Sequence, residues 1–307
     1  MVGVPRSAPT SKSLIISTSG LQAFKRCRKS YELGYLRMLD PIGGSPAATA
    51  GSNLHAMLAD YAYQRRGTKN PNQVPDDPAM KAVVDSYIRL KGSADFDRMG
   101  ELLVIEEPIF VEIAVPRRYL DLLAHTEFCI QGHHIPSIFV RMTFDLCYKR
   151  KSNGNIVLRD YKSFEKMQTH DYDNDFQSRF YIAGAMQLFE TDAVEFEFEN
   201  IRRVPPGTPN SKGVWTPDEC YITQPLGVSI AEAKKVWLEA QFTVGEVLLA
   251  MAIGDPSVWY REDLKVGPHS CSSCFFKTLC KADFHGNLDE QMISELTNPR
   301  KPLWEPI

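Results

Sequence analysis

The chain is 307 residues long, which at about 150 residues per domain implies two domains or one large domain carrying insertions. Charged residues make up 24% and hydrophobic residues 43%, close to the averages for globular proteins, so wholesale disorder and fibrous repeats are excluded. The formal net charge is −3, from 35 basic against 38 acidic residues, which excludes a protein that coats nucleic acid through bulk charge and leaves room for a local site.

Residues 1–13 are rich in Ser, Pro and small side chains without a period, and predict a mobile leader. Ser19 followed by Gln22 has the form of a capping box, and Leu21, Phe24, Tyr31, Tyr35 and Met38 keep helical spacing up to Asp40-Pro41 and Gly43-Gly44. Further helices are predicted from Ala47 to Arg66 and from Pro78 to Leu90. The period then changes. Leu102 to Val115 and Ser137 to Tyr148 are β-branched and aromatic, and in the second stretch apolar residues alternate from Ile138 to Tyr148, a strand pattern. Asn153-Gly154 is a strong hairpin signal, with Ile156 to Lys162 as the returning strand. A helix from Asp175 to Phe189, strands over Val194 to Val204 and Glu219 to Gln224, and a helix opened by Ser229 and Glu232 and closed by Gly254-Asp255-Pro256 complete the pattern. The last fifty residues are loop-rich. No run approaches the roughly 18 to 20 apolar residues of a membrane span, and the N-terminus lacks a signal-peptide core. A cytoplasmic protein in a reducing compartment is expected, with no membrane partner.

If Asn153 and Gly154 are the central residues of a two-residue turn, facing residues have numbers summing to 307, which sets Asp145 opposite Lys162 and Cys147 opposite Asp160. Side chains alternate with period two, so Asp160 and Lys162 leave one face together, with Asp145 about 5 Å away across the strands. Two carboxylates so placed suit a hard divalent cation such as Mg²⁺ or Mn²⁺. A neighbouring ammonium can hold a water or offset phosphate charge, the elements of phosphodiester hydrolysis. A surface salt bridge is the alternative this hairpin alone leaves open. The run Asp171, Asp173, Asp175 begins like a calcium loop but has no Gly at the sixth position, and it predicts an acidic helix N-terminus.

Seven cysteines are an odd count with no secretion signal, which disfavours a disulfide framework and favours metal or cluster ligation. Cys271, Cys274 and Cys280 are spaced C-x2-C-x5-C. His285 can complete a local zinc site, or Cys27 can complete four thiolates for a 4Fe-4S cluster. By spacing alone the nearby His285 is preferred. Cys129, Cys147 and Cys220 fall in strand-like segments and are expected to be ordinary buried thiols.

Asp145, followed after a hairpin by Arg159-Asp160-Tyr161-Lys162, resembles the D…(D/E)xK core of the PD-(D/E)XK nucleases, in the DYK form of their RecB-like branch. Three more stretches resemble that branch in order: Ser17 to Tyr35 its opening helix, Gly51-Ser52-Asn53-Leu54-His55 its GxxxH motif, and Gln177 with Tyr181 its QxxxY motif. Where the family usually has Gly shortly before the first Asp, this chain has Arg141-Met142-Thr143-Phe144. The resemblance implies that His55, Asp145, Asp160 and the Tyr161 carbonyl ligate Mg²⁺ or Mn²⁺, that Lys162 orients or activates the water, and that Gln177 and Tyr181 contact the DNA backbone or support Lys162. Glu107 is a further acidic candidate. The C-x2-C-x5-C run plus Cys27 is similar to the pattern of the iron-sulfur RecB-like nucleases, among them CRISPR-associated exonucleases and AddB-type nuclease domains, which turns the preference for the fourth ligand to Cys27 and a 4Fe-4S cluster.

Lys25-Arg26-Cys27-Arg28-Lys29 gathers four basic residues around the proposed cluster cysteine and is expected to contact phosphates. No GxxxxGK[ST] phosphate loop occurs, so no nucleotide triphosphate partner is expected. The fold expected is α/β: a single PD-(D/E)XK nuclease domain over 14–307, with a mixed sheet flanked by helices and an iron-sulfur subdomain from 14–40 and 257–290. The function expected is metal-dependent exonucleolytic hydrolysis from DNA ends, with single strands preferred. The alternative is a non-catalytic DNA-binding or assembly subunit working with recombination or CRISPR-adaptation proteins.

Overall fold

The computed structural model describes residues 9, 13–42, 46–124, 137–165, 175–253, 258–259, 271 and 274–299. The rest of the leader, the helix stops at 43–44 and 254–256, Cys129, Asp171 and Asp173 lie outside the described residues.

In chain order, strand β1 (Leu14–Ser17) leads into helices α1 (Thr18–Arg26) and α2 (Arg28–Tyr31), then β2 (Leu39–Pro41). Helices α3 (Pro46–Arg66), α4 (Pro78–Tyr87) and α5 (Ser93–Arg98) precede the long strand β3 (Met99–Glu112). Helix α6 (Arg117–Leu123), strands β4 (Ile138–Arg150) and β5 (Ile156–Phe164), helix α7 (Phe176–Leu188) and strand β6 (Val194–Arg202) follow. The small strands β7 (Pro209–Asn210) and β8 (Gly213–Val214), helix α8 (Pro217–Cys220), β9 (Tyr221–Leu226), the long α9 (Ile230–Ile253), α10 (Lys277–Phe284), α11 (Glu290–Leu296) and β10 (Thr297–Pro299) close the described chain.

The chain divides into two compact units, one built on Ser45–Ile109 and Met142–Val236, the other on Ser7–Gly44, Phe110–Arg141 and Trp237–Ile307. In the first, β4 runs antiparallel to β5, β5 parallel to β6, and β6 antiparallel to β9, with β3 also paired to β4. This is a mixed sheet with helices packed on it. Leu54, Met57, Leu58 and Ala62 of α3, spaced at three and four residues, meet Val83, Val84 and Tyr87 of α4 and the sheet residues Ile105, Leu146, Tyr148, Val157 and Tyr161 in one core. That packing holds α3, and therefore His55, against the sheet.

The hairpin is looser than a two-residue turn. Leu146 faces Arg159 and Cys147 faces Leu158, and the chain turns through Lys151 to Gly154, with the Arg150 carbonyl accepting the Gly154 N–H at 2.9 Å. Gly154 takes φ +75°, which glycine adopts without steric cost. The register is thus two residues from the one expected. A shift of two keeps every side chain on its face, whereas a shift of one would invert them all, so Asp145, Asp160 and Lys162 stay together.

In the second unit β1 runs parallel to the first residues of β4, Leu14 facing Ile138 and Ser17 facing Arg141. Ser17, not Ser19, caps α1 by accepting the Gly20 N–H at 3.0 Å, because the strand continues up to it. Leu33, Leu39 and Leu279 form a small core with Phe276, Cys280, Leu288, Met292 and Ile293 packed against it. Both segments expected to form the iron-sulfur subdomain lie in this unit. Helix α9 is long and apolar enough to cross a membrane by length and composition; Ala233, Val236, Ala240, Val244, Val247 and Leu248, at three- and four-residue spacings, are buried within the protein, the stripe of a core helix.

Candidate active site

Strand β5 sorts its residues by parity. Arg159 and Tyr161 enter the interior on one side, where Arg159 meets Glu197 at 2.6 Å and Asp95 at 3.4 Å. Asp160 and Lys162 leave on the other side as an ion pair of 2.7 Å. The ladder between β4 and β5 runs up to the Leu146–Arg159 pair, and beyond it side chains take over. Asp145 Oδ2 accepts the Tyr161 N–H at 2.7 Å, and the Tyr161 carbonyl lies 2.6 Å from His55 Nε2.

His55, delivered from α3, turns its other nitrogen toward two carboxylates, Nδ1 lying 3.2 Å from Glu106 and 3.3 Å from Asp145. One donor atom from each of His55, Glu106 and Asp145 lies within 4.8 Å of the other two. Glu106 was not anticipated. It takes a left-handed backbone, φ 47°, inside β3, a conformation that costs about 1–3 kcal/mol in a non-glycine residue and clusters at functional sites. Val104 and Ile105 just before it are both fully buried, so strand alternation is broken there as at a bulge. Glu107, the acidic residue expected from this strand, lies 3.3 Å from the Tyr63 hydroxyl, which donates to it; Glu106 takes its place beside His55.

The electrostatics follow from this crowding. Burial disfavours the charged form of His55, but Asp145 and Glu106 override it and push its pKa up to about 11. Burial and then Asp145 push Asp160 up to about 7 despite the Lys162 ammonium. Lys162 is desolvated, yet Asp160 and Asp145 hold its pKa above the usual lysine value. Gln177 donates to the Tyr181 hydroxyl at 3.1 Å, and burial together with the Asp160 and Asp145 charges pushes that hydroxyl up to about 12. The QxxxY pair therefore stands beside the same carboxylates. Asp175 caps α7 by accepting the Ser178 N–H at 2.8 Å.

The donor set suits a divalent cation: carboxylates, an imidazole and a backbone carbonyl. Glu106 Oε1 and Asp160 Oδ2 are buried without a well-aligned hydrogen bond among the described residues, their partners being the His55 and Lys162 nitrogens. Buried oxygens in that condition are costly unless a charge partner satisfies them.

In the second unit, Cys27 lies between α1 and α2 with extended backbone. Burial raises the pKa of Cys274, and the Cys27 and Cys271 thiols raise it further, so both of these sulfurs lie near that of Cys274. Cys280 is half-buried in the small core, whereas His285 is exposed with its ring 5.3 Å from Phe284. None of the described cysteines is in a disulfide. Cys147 and Cys220 are fully buried. Of the basic run, Lys25 pairs with Glu239 at 3.3 Å and Arg28 with Glu246 at 3.4 Å. Lys29 is sunk between Glu32 and Asp283, and Arg26 is exposed.

Among curated proteins none matches the chain. The crystal structure of SSO0001 is similar to it at 14% identity and a TM-score of 0.37, covering 90% of this chain and 88% of that one. A candidate exonuclease from Eubacterium rectale is similar at 11% identity and a TM-score of 0.48, covering 95% and 90%. The family model of the PD-(D/E)XK nuclease superfamily matches residues 15–281, and with His55, Asp145, Asp160 and Lys162 gathered around one strand end, the chain belongs to that superfamily.

Proposed function

We propose that the protein is a divalent-metal-dependent DNA exonuclease that hydrolyses phosphodiester bonds from DNA ends and prefers single strands. The observation that carries the reading is the His55, Glu106 and Asp145 group beside the Asp160–Lys162 pair. His55, Glu106, Asp145 and the Tyr161 carbonyl would hold the metal, with Asp160 as a further oxygen. When bound, Mg²⁺ or Mn²⁺ supplies Lewis-acid activation and neutralises phosphate charge. Lys162, kept protonated by Asp160, orients the attacking water and offsets charge developing on the phosphate. Tyr181, buried against Phe144 at 5.3 Å, holds the edge of the carboxylate group, and Gln177 fixes its hydroxyl. The preference for ends and single strands rests on the RecB-like motifs alone.

The second unit is proposed to carry a 4Fe-4S cluster on Cys27, Cys271, Cys274 and Cys280. The nearness of Cys27 and Cys271 to Cys274 supports it, and the exposed position of His285 favours Cys27 over a zinc site. Such a cluster would join two segments some 240 residues apart and act first on stability.

The test of the nuclease reading is incubation of end-labelled and circular DNA, single- and double-stranded, with Mg²⁺ or Mn²⁺. Labelled ends should be released from linear single strands, circles should survive, and Lys162→Ala should lower the rate by about a thousandfold or more while circular dichroism shows the fold retained. Full activity in that variant, or equal cutting of circles, would refute it.

A further inference from the structure

Two phenylalanines close to the cysteines are left almost wholly in water. Phe275 is 75% exposed and Phe284 74%, while Phe276 between them in sequence packs on the small core, its ring 3.3 Å from where a side chain at Gly34 would begin. A single exposed phenylalanine is ordinary. Two in ten residues, set among cations, form a pattern. Lys277, Lys281 and Phe284 occupy positions i, i+4 and i+7 of α10 and share one face of it, and both lysines are exposed. Neither makes an ion pair among the described residues, and the acid of that helix, Asp283, is engaged by Lys29.

We propose that Phe275 and the exposed face of α10 form a stacking platform for single-stranded DNA, with Phe275 and Phe284 receiving bases and Lys277 and Lys281 receiving phosphates. The chemistry selects the occupant. Flat rings interleaved with ammonium groups match a chain that alternates bases with anionic phosphates, whereas in duplex DNA the base faces are already stacked. The platform rests on the reading that DNA is the substrate, and it is a contact separate from the hydrolytic residues.

The experiment is fluorescence anisotropy of a labelled oligothymidine of about twenty nucleotides, an adequate span for stacking sites of this kind, with the full-length chain, purified anaerobically, in chelator. Phe275→Ala with Phe284→Ala should weaken binding by roughly tenfold per ring, the scale of base-aromatic stacking, while Phe275→Trp with Phe284→Trp retains it. Lys277→Ala with Lys281→Ala should flatten the dependence of log K on log salt by about 0.7 per lysine. All three double variants change exposed side chains, so their melting temperatures should equal the parent's. Undiminished oligothymidine affinity in the alanine pair overturns the platform. Normal cleavage with undiminished binding sinks the platform and leaves the nuclease standing; ring-dependent binding without cleavage in Mg²⁺ or Mn²⁺ does the reverse.

Discussion

Loading the site with Mn²⁺ should expel protons, and the number follows from the arrangement of its acids. Without metal His55 is an imidazolium, pushed up to about 11 by Asp145 and Glu106 against the effect of burial, so near neutrality it carries its proton fully. A metal ligand must be the neutral imidazole. Asp160 sits at about 7 and is therefore half protonated at that pH. Binding should release about 1.5 protons at pH 7, about 1.9 at pH 6 and about 1.1 at pH 8. The apparent affinity for Mn²⁺ should accordingly rise with pH, by about 1.5 decades per pH unit around neutrality.

Isothermal titration in buffers of different ionisation enthalpy measures the release directly. Asp160→Asn should remove the pH-dependent part and leave about one proton. Release of no protons by the parent, or an unchanged pH dependence in Asp160→Asn, would show that these groups do not meet the metal. The signs also fix the behaviour of the metal-free fold. Both folded pKa values lie above their unfolded ones, so the native state binds more protons and stability falls as pH rises. The Asp160 contribution is lost between about pH 4 and 7, and that of His55 is complete below about 6.5 and lost as pH rises through about 11.

Two further outcomes probe what lies behind the site. Arg159→Met leaves Glu197 and Asp95 buried without their shared guanidinium, which should cost about 3–5 kcal/mol and lower the melting temperature on the order of 10 °C; a drop under about 3 °C would mean the network is not stabilising. Anaerobically purified protein should be brown with broad absorption near roughly 400 nm from thiolate-to-iron charge transfer, and Cys27→Ser should lose the colour. Colourless protein holding zinc that His285→Ala removes would assign the thiols to zinc instead.

The strongly periodic elements were legible in the sequence, and the reason is local. Helix α3 was expected from Ala47 to Arg66 and begins at Pro46, because Leu54, Leu58 and Tyr61 recur at helical spacing in its second half. Strand β1 was missed because Leu14–Ser17 is four residues long and its partner lies more than a hundred residues away, so no local signal marks it; the misplaced cap at Ser19 follows from that omission. The hairpin register was wrong by two because Asn153-Gly154 closes a longer loop than its dipeptide suggests. Parity protected the site from the error. Glu106 had no such protection. Period-two reasoning admits one of two adjacent acids to a face, and only the left-handed backbone at Glu106 decides which.

The concentration of acids at this strand end explains why the surrounding fold is built as it is. Glu106, Asp145 and Asp160 repel one another in a partly desolvated place, and each like-charge contact raises the energy of the metal-free state. Local cations and dipoles offset it: Lys162 on Asp160, His55 between Glu106 and Asp145, and the Tyr161 N–H on Asp145. Behind the strand, Arg159 is locked to Glu197 and Asp95, which pins the backbone whose next residues supply Asp160, the Tyr161 carbonyl and Lys162. Replacing that network by apolar side chains could hold the strand equally well, but only a fixed strand keeps an N–H and a carbonyl of one residue turned to Asp145 and His55. Asp145 thereby does two things with one carboxylate. One oxygen closes the open end of the hairpin and the other faces His55, so strand geometry and the charge of the site are set by the same side chain.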